Sequence, residues 1–147
     1  AMGTCIGIVV GLVAITPAAG FVTIPHSIVI GAVAAIVCRL CIVWRTKSSI
    51  DDTLDVFPSH GVGGMVGMLL TGVFANKAVN AAVESNGLFF GETPLFVAHS
   101  IGLVGASVFI VVFAYLILKV TDLISPLRVN ATEEELGLDL SQHGEKL

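Results

Sequence analysis

The residue whose type and setting ask most of its chemistry is His60. It follows three carboxylates, Asp51, Asp52 and Asp55, and a proline, Pro58. It opens an apolar run to Ala75 in which no other side chain ionises. A lone imidazole in a hydrophobic span is a functional-site candidate by default. On a helix, His60, Gly63, Gly64, Gly67 and Thr71 fall on one face by three-and-four spacing. Gly63 and Gly67 form a G-x-x-x-G pair that lets another helix come close. Val62, Met65, Val66 and Leu69 take the opposite face. The pattern predicts a tightly packed helix that aims an imidazole inward. Asp55 is the expected N-cap, with Pro58 in the first turn. A neutral imidazole offers one donor and one acceptor nitrogen, so it can receive and release a proton where a fixed charge would be costly.

The other reactive side chains are weaker candidates. Cys38 and Cys41 have redox or metal spacing, but no second pair or nearby histidine completes a metal site. With Cys5, they are expected to be small buried hydrophobes. His26 follows Pro25 at an expected outer surface. His99 lies one turn into the last span, facing headgroups or another helix, and His143 lies in the tail. Thr16 is placed to bond backbone freed by Pro17. No phosphate loop or serine-nucleophile motif is present, so no catalytic residue, cofactor or metal is assigned. The few scattered basic residues exclude nucleic-acid binding.

The elements that must position His60 are membrane helices. The 147 residues are 55% hydrophobic and 12% charged, whereas a soluble domain carries about 25% charged residues. The mean hydropathy is +0.97. Residues 1–38 contain no Asp, Glu, Lys or Arg, and much of the acidity sits in the tail. The expected fold is all-α, a polytopic bundle of about four transmembrane helices. The spans run to about Ile15, from Ser27 to Trp44, from Pro58 to Asn76 and from Pro94 to Leu118. Gly3, Gly7 and Gly11 give the first a small-residue stripe. That first run is only ~24 Å long at the helical rise, against a bilayer core of ~30 Å. The chain therefore reads as the C-terminal part of a longer protein, cut inside a helix.

Arg39, Arg45, Lys47, Lys119 and Arg128 flank one side of the spans and only Lys77 the other. The basic side is cytoplasmic. Residues 1–125 thus read as a membrane bundle and residues 126–147 as a cytoplasmic tail. In that tail Thr132-Glu133-Glu134-Glu135 fits a capping box, with Gly137 ending the turn.

The run Asp-Asp-x-x-Asp-Val-Phe-x-x-His-Gly-Val-x-Gly, closing Thr-Gly-Val-Phe-Ala, resembles the penultimate membrane helix of the ammonium transporter (Amt/Rh) family. The Ile15-to-Val22 break and the Leu127-Arg128-Val129 and Gly-Leu-Asp-Leu-Ser tail signatures are similar to it as well. The resemblance covers essentially the whole chain. It implies the C-terminal portion of an eleven-helix transporter of ammonium or ammonia in the cell (inner) membrane. It implies that His60 is one of two pore histidines, the other lying on an earlier helix, and that Val56 lines the cytoplasmic mouth. Two touching imidazoles hold a proton between them while a neutral molecule passes. It further implies a homotrimer and a PII-type signalling partner at the tail. The fragment alone is expected to be inactive. Competing readings are an ammonium sensor, a structural half-module whose His60 only holds helices together, and a metalloprotein using His60, His99 and the cysteines.

Overall fold

A computed structural model describes residues 2–145. The described residues are helical, without strands. Helix α1 spans Met2–Ile15 and tightens into a 3₁₀ turn at Thr16–Ala18; helix α2 spans Ile24–Arg45. A π-type turn at Phe57–Val62 runs directly into α3, Gly63–Phe74. A 3₁₀ turn at Leu88–Phe90 precedes α4, Pro94–Ile124, and a short α5, Ala131–Leu136, is followed by a π-type turn at Asp139–His143. The expected spans are present as helices. α2 begins earlier than Ser27, with Pro25 in its first turn. α4 runs past Leu118 to Ile124. α2 and α4 are each long and apolar enough to cross a membrane.

The chain forms two compact units, one up to Gly105 and one from Ala106. The first is built on three series of residues spaced by four. Val10, Ala14 and Ala18 are buried on α1 and its extension; Ile30, Ala34, Cys38 and Ile42 on α2; Gly63, Gly67 and Thr71 on α3. A spacing of four keeps each series on one helix face. The buried residues are mostly small, so the interfaces are backbone against backbone. The outward faces carry Leu12, Ile28, Ile36 and Leu40, all exposed. A helix that is apolar all round belongs in a core or in lipid. Glycine- and valine-rich segments have modest helix propensity in water. In hydrocarbon, a helix is the only way one segment satisfies its own backbone.

In the second unit the tail turn is capped, two residues earlier than expected. Asn130, not Thr132, is the N-cap: its side chain accepts from the Glu133 amide at 2.9 Å, and Glu133 reaches back to the Asn130 amide at 3.1 Å. Asparagine is as good a cap as threonine and stands one residue before the first helical position. Gly137 closes the turn at φ +83°. Arg128 donates to both oxygens of Glu134 at 3.0 and 3.1 Å, on the surface.

Candidate functional site

The start of the His60 helix is tied by a carboxylate, but not the expected one. Asp52 accepts from the Val56 amide at 2.8 Å through Oδ1 and from the Phe57 amide at 2.9 Å through Oδ2. Asp55 makes no cap bond. Its backbone sits at φ +53° and its carboxylate pairs with Arg45 at the end of α2. With the Asp55 carboxylate on Arg45, the first-turn amides of Val56 and Phe57 go to Asp52. Left-handed backbone costs an L-residue roughly 1–2 kcal/mol, least for Asn and Asp. The Arg45 pair offsets that cost: both side chains are less than a fifth exposed, so water screens them little. Asp55 is therefore a brace between two helices rather than a cap.

The turn from Phe57 to Val62 sets the direction of His60. Pro58 and Ser59 are buried. The Ser59 hydroxyl donates to the Asp55 carbonyl at 2.6 Å, and its oxygen lies 2.9 Å from His60 Nδ1. The His60 residue itself is exposed, while Gly63, Gly67 and Thr71 are buried. Val56 and Phe57 are exposed beside it. The Phe57 ring lies over Gly61, where an added Cβ would meet it at 3.0 Å.

The glycines do what their spacing predicts, to different degrees. A Cβ on Gly67 would stand 2.2 Å from the Ala14 carbonyl oxygen. At Gly63 it would touch Val13 and the Cys38 sulfur at 3.5 and 3.6 Å, and at Gly64 only Val13, at 3.9 Å. Thr71 returns its hydroxyl to the Gly67 carbonyl at 2.7 Å. Thr16 bonds the Leu12 carbonyl at 2.8 Å, one residue before the Val13 carbonyl that Pro17 leaves free.

Two of the other histidines are packed, and His143 in the tail is exposed. His26 is half-buried rather than on the surface: its ring stacks on Phe74 at 4.8 Å and meets the edges of Phe89 and Phe90 at 5.3 and 5.8 Å. Its Nδ1 lies 2.9 Å from the Thr23 hydroxyl. His99 Nδ1 lies 2.9 Å from the Met68 carbonyl. A carbonyl only accepts, so that nitrogen carries a proton and fastens α4 to α3. It lies where Gly72 leaves room for Phe96 and His99. Among the described residues no group of histidine, cysteine and carboxylate side chains could hold a metal, and the three cysteines are free.

Beyond the C-terminal end of α3 the loop is ordered by Asn86. Its side-chain oxygen accepts from the Lys77 amide at 2.9 Å. Its side-chain amide donates to Glu92 at 2.7 Å and its backbone amide at 3.0 Å. The side-chain bond first, then the backbone bond and the Lys77 charge, hold the Glu92 carboxyl below its usual range against the opposing effect of desolvation.

Apolar helices crossing at glycine and alanine, two of them long enough to span a bilayer, define a polytopic membrane helix bundle. A sequence model of the Ammonium Transporter Family matches residues 1–147, and the chain belongs to that family. It is 43% identical over 146 residues to an ammonium transporter of Bacillus subtilis, covering 99% of this chain and 36% of that protein. It is 42% identical to the ammonium transporter Amt1 of Archaeoglobus fulgidus, covering 98% and 36%. The crystal structure of Saccharomyces cerevisiae Mep2 superposes with a TM-score of 0.81 at 38% identity, over 94% of this chain and 32% of that one. The chain thus spans about a third of the length of the relatives it matches.

Proposed function

We propose that the complete protein carries ammonium or ammonia across a cell (inner) membrane and that His60 stands on its path, with Val56 at the cytoplasmic mouth. The observation that carries this is the setting of His60. Its ring meets a buried serine and the residue is exposed while the glycine face below it is buried, so it is available to a permeant rather than spent on packing. An ion is costly in a dry passage; an imidazole that takes a proton from ammonium lets a neutral molecule proceed. A second histidine from a helix outside this chain would complete the pair. Residues 1–125 form the membrane part and residues 126–147 a cytoplasmic tail, by the distribution of lysine and arginine. The tail is the surface offered to a PII-type regulator, and the assembly is a homotrimer with one pore per subunit. The 147 residues alone supply one wall of that pore and do not transport.

The test is ammonium uptake by the complete protein with His60 or His60→Ala, at matched membrane levels. Uptake lost, or its charge selectivity changed, supports the reading. Unchanged uptake makes His60 a packing residue and ends it.

A further inference from the structure

The last turns of α4 and the residues just after it form an open notch of about 300 Å³, lined by Tyr115, Leu118, Lys119, Asp122, Leu127 and Arg128. All six belong to the second unit. Beyond Ile124 the chain turns back at once. The Ser125 amide donates to the Thr121 carbonyl at 2.8 Å, and the Leu127 amide to Asp122 Oδ1 at 3.1 Å. Those bonds set Leu127 and Arg128 beside the helix they have just left. Tyr115 and Lys119 share a helix face by their spacing of four. Lys119 Nζ stands 5.8 Å from the Tyr115 ring centroid, within the range of a cation–π contact. The notch thus gathers two cations, a phenol and one carboxylate, and a backbone amide already occupies that carboxylate. Among the described residues Lys119 has no ion-pair partner. Both bonds from Arg128 to Glu134 leave from Nη2, so the rest of its guanidinium fork stays open to an acceptor.

Depth decides what that acceptor is. No charged residue lies between Pro94 and Leu118. The rise from Pro94 to Lys119 is ~37 Å at the helical repeat, against a hydrocarbon core of ~30 Å and ~40–45 Å with the headgroup layers. A span that starts at one face therefore delivers Lys119 among the headgroups of the other. Leu116 and Leu118 just before it are exposed and suited to acyl chains, and Tyr115 is a residue type of the interface. We propose that the notch is a headgroup site for an anionic phospholipid, whose phosphate bridges Lys119 and Arg128. Arginine meets phosphate through its planar fork and lysine as a point charge, and an anion between the two removes their mutual repulsion. Because Arg128 also holds Glu134 of α5, the bound lipid ties the start of the tail to the bilayer. The inference does not depend on His60 standing on the path.

The experiment is native mass spectrometry of the complete protein in detergent, titrated with phosphatidylglycerol, which is anionic, or phosphatidylcholine of the same chains, which carries no net charge. Phosphatidylglycerol is expected to bind more tightly. Lys119→Gln and Arg128→Gln should each weaken it on the order of 5-fold, the usual worth of one basic side chain at an anionic surface, and leave phosphatidylcholine unchanged. Lys119→Arg should keep the preference, and Lys77→Gln, outside the notch, should alter neither lipid. In bilayers, amide exchange at Leu127 should be slower with phosphatidylglycerol than with phosphatidylcholine. Equal binding of the two lipids, or an equal loss in Lys77→Gln, overturns the proposal. Displacement of the lipid by millimolar inorganic phosphate also overturns it, since the notch is then a site for a soluble anion. If Arg128→Gln disturbs the tail through Glu134, Lys119→Gln alone decides, because Lys119 makes no bond to the tail.

Discussion

Gly67 and Ala14 meet backbone to backbone: a Cβ added to Gly67 would stand 2.2 Å from the Ala14 carbonyl oxygen. That distance is inside any real contact, and the atom it strikes is main chain, which no rotamer change relieves. Gly67→Ala must therefore push α3 off α1. Overpacking of this kind costs about 1–3 kcal/mol. The expected result is a lower unfolding temperature and a lower membrane level of the complete protein. Gly64→Ala, whose Cβ would meet Val13 at 3.9 Å, should change neither. Equal losses for the two would mean that helix propensity, not close approach, sets the role of these glycines.

The Asp52 and Asp55 carboxylates, three residues apart, have separable roles. Asp52→Ala removes a two-amide cap and should lower stability by about 1 kcal/mol. Arg45→Ala adds nothing to that route, but it should couple with Asp55→Ala. A double-mutant cycle on Arg45 and Asp55 should return roughly 1–2 kcal/mol, as for a shielded charge-assisted bond. The same cycle on Arg45 and Asp52 should return close to zero. Reversed couplings would restore Asp55 as the cap.

These two results mark where the sequence was legible. The helices and their small-residue crossings follow from composition and four-residue spacing, because in lipid the backbone has few alternatives. Gly63, Gly67 and Thr71 are buried together as the pattern predicts. The cap was misread because a positive φ at Asp55 leaves no mark in a string of aspartates, and Asp52 reaches forward four and five residues. The Asn86–Glu92 loop lock is likewise a contact between residues six apart in an irregular segment, where no periodicity points to it.

Acid should unlock the Asn86–Glu92 loop. The Glu92 carboxyl is held below its ordinary range, chiefly by the Asn86 side-chain amide. A depressed carboxyl stabilises the folded loop at pH values above its unfolded pKa of about 4.3. The contribution is lost as pH falls through the lower folded value. Amide exchange at Lys77 and Asn86, both bonded into this lock, should therefore be slow at neutral pH and quicken in that acid window. Glu92→Gln should exchange faster at neutral pH and show no acid step of this origin. An unchanged acid step in Glu92→Gln would assign it to another group.

His99 should separate fastening from transport. Its Nδ1–H bonds the Met68 carbonyl at 2.9 Å, a carbonyl that lies within α3. Losing that bond by His99→Ala removes both a cross-helix hydrogen bond and a ring packed where Gly72 gives room. The hydrogen bond contributes about 1 kcal/mol and the lost packing adds to it. Thermal unfolding of the complete protein should fall accordingly. Uptake per assembled protein should not, because the working nitrogen of His99 is committed to a backbone oxygen. His99→Asn, which keeps a donor, should recover part of the stability. A fall in uptake with normal assembly would put His99 on the path beside His60 and would require the passage to reach the α3–α4 contact.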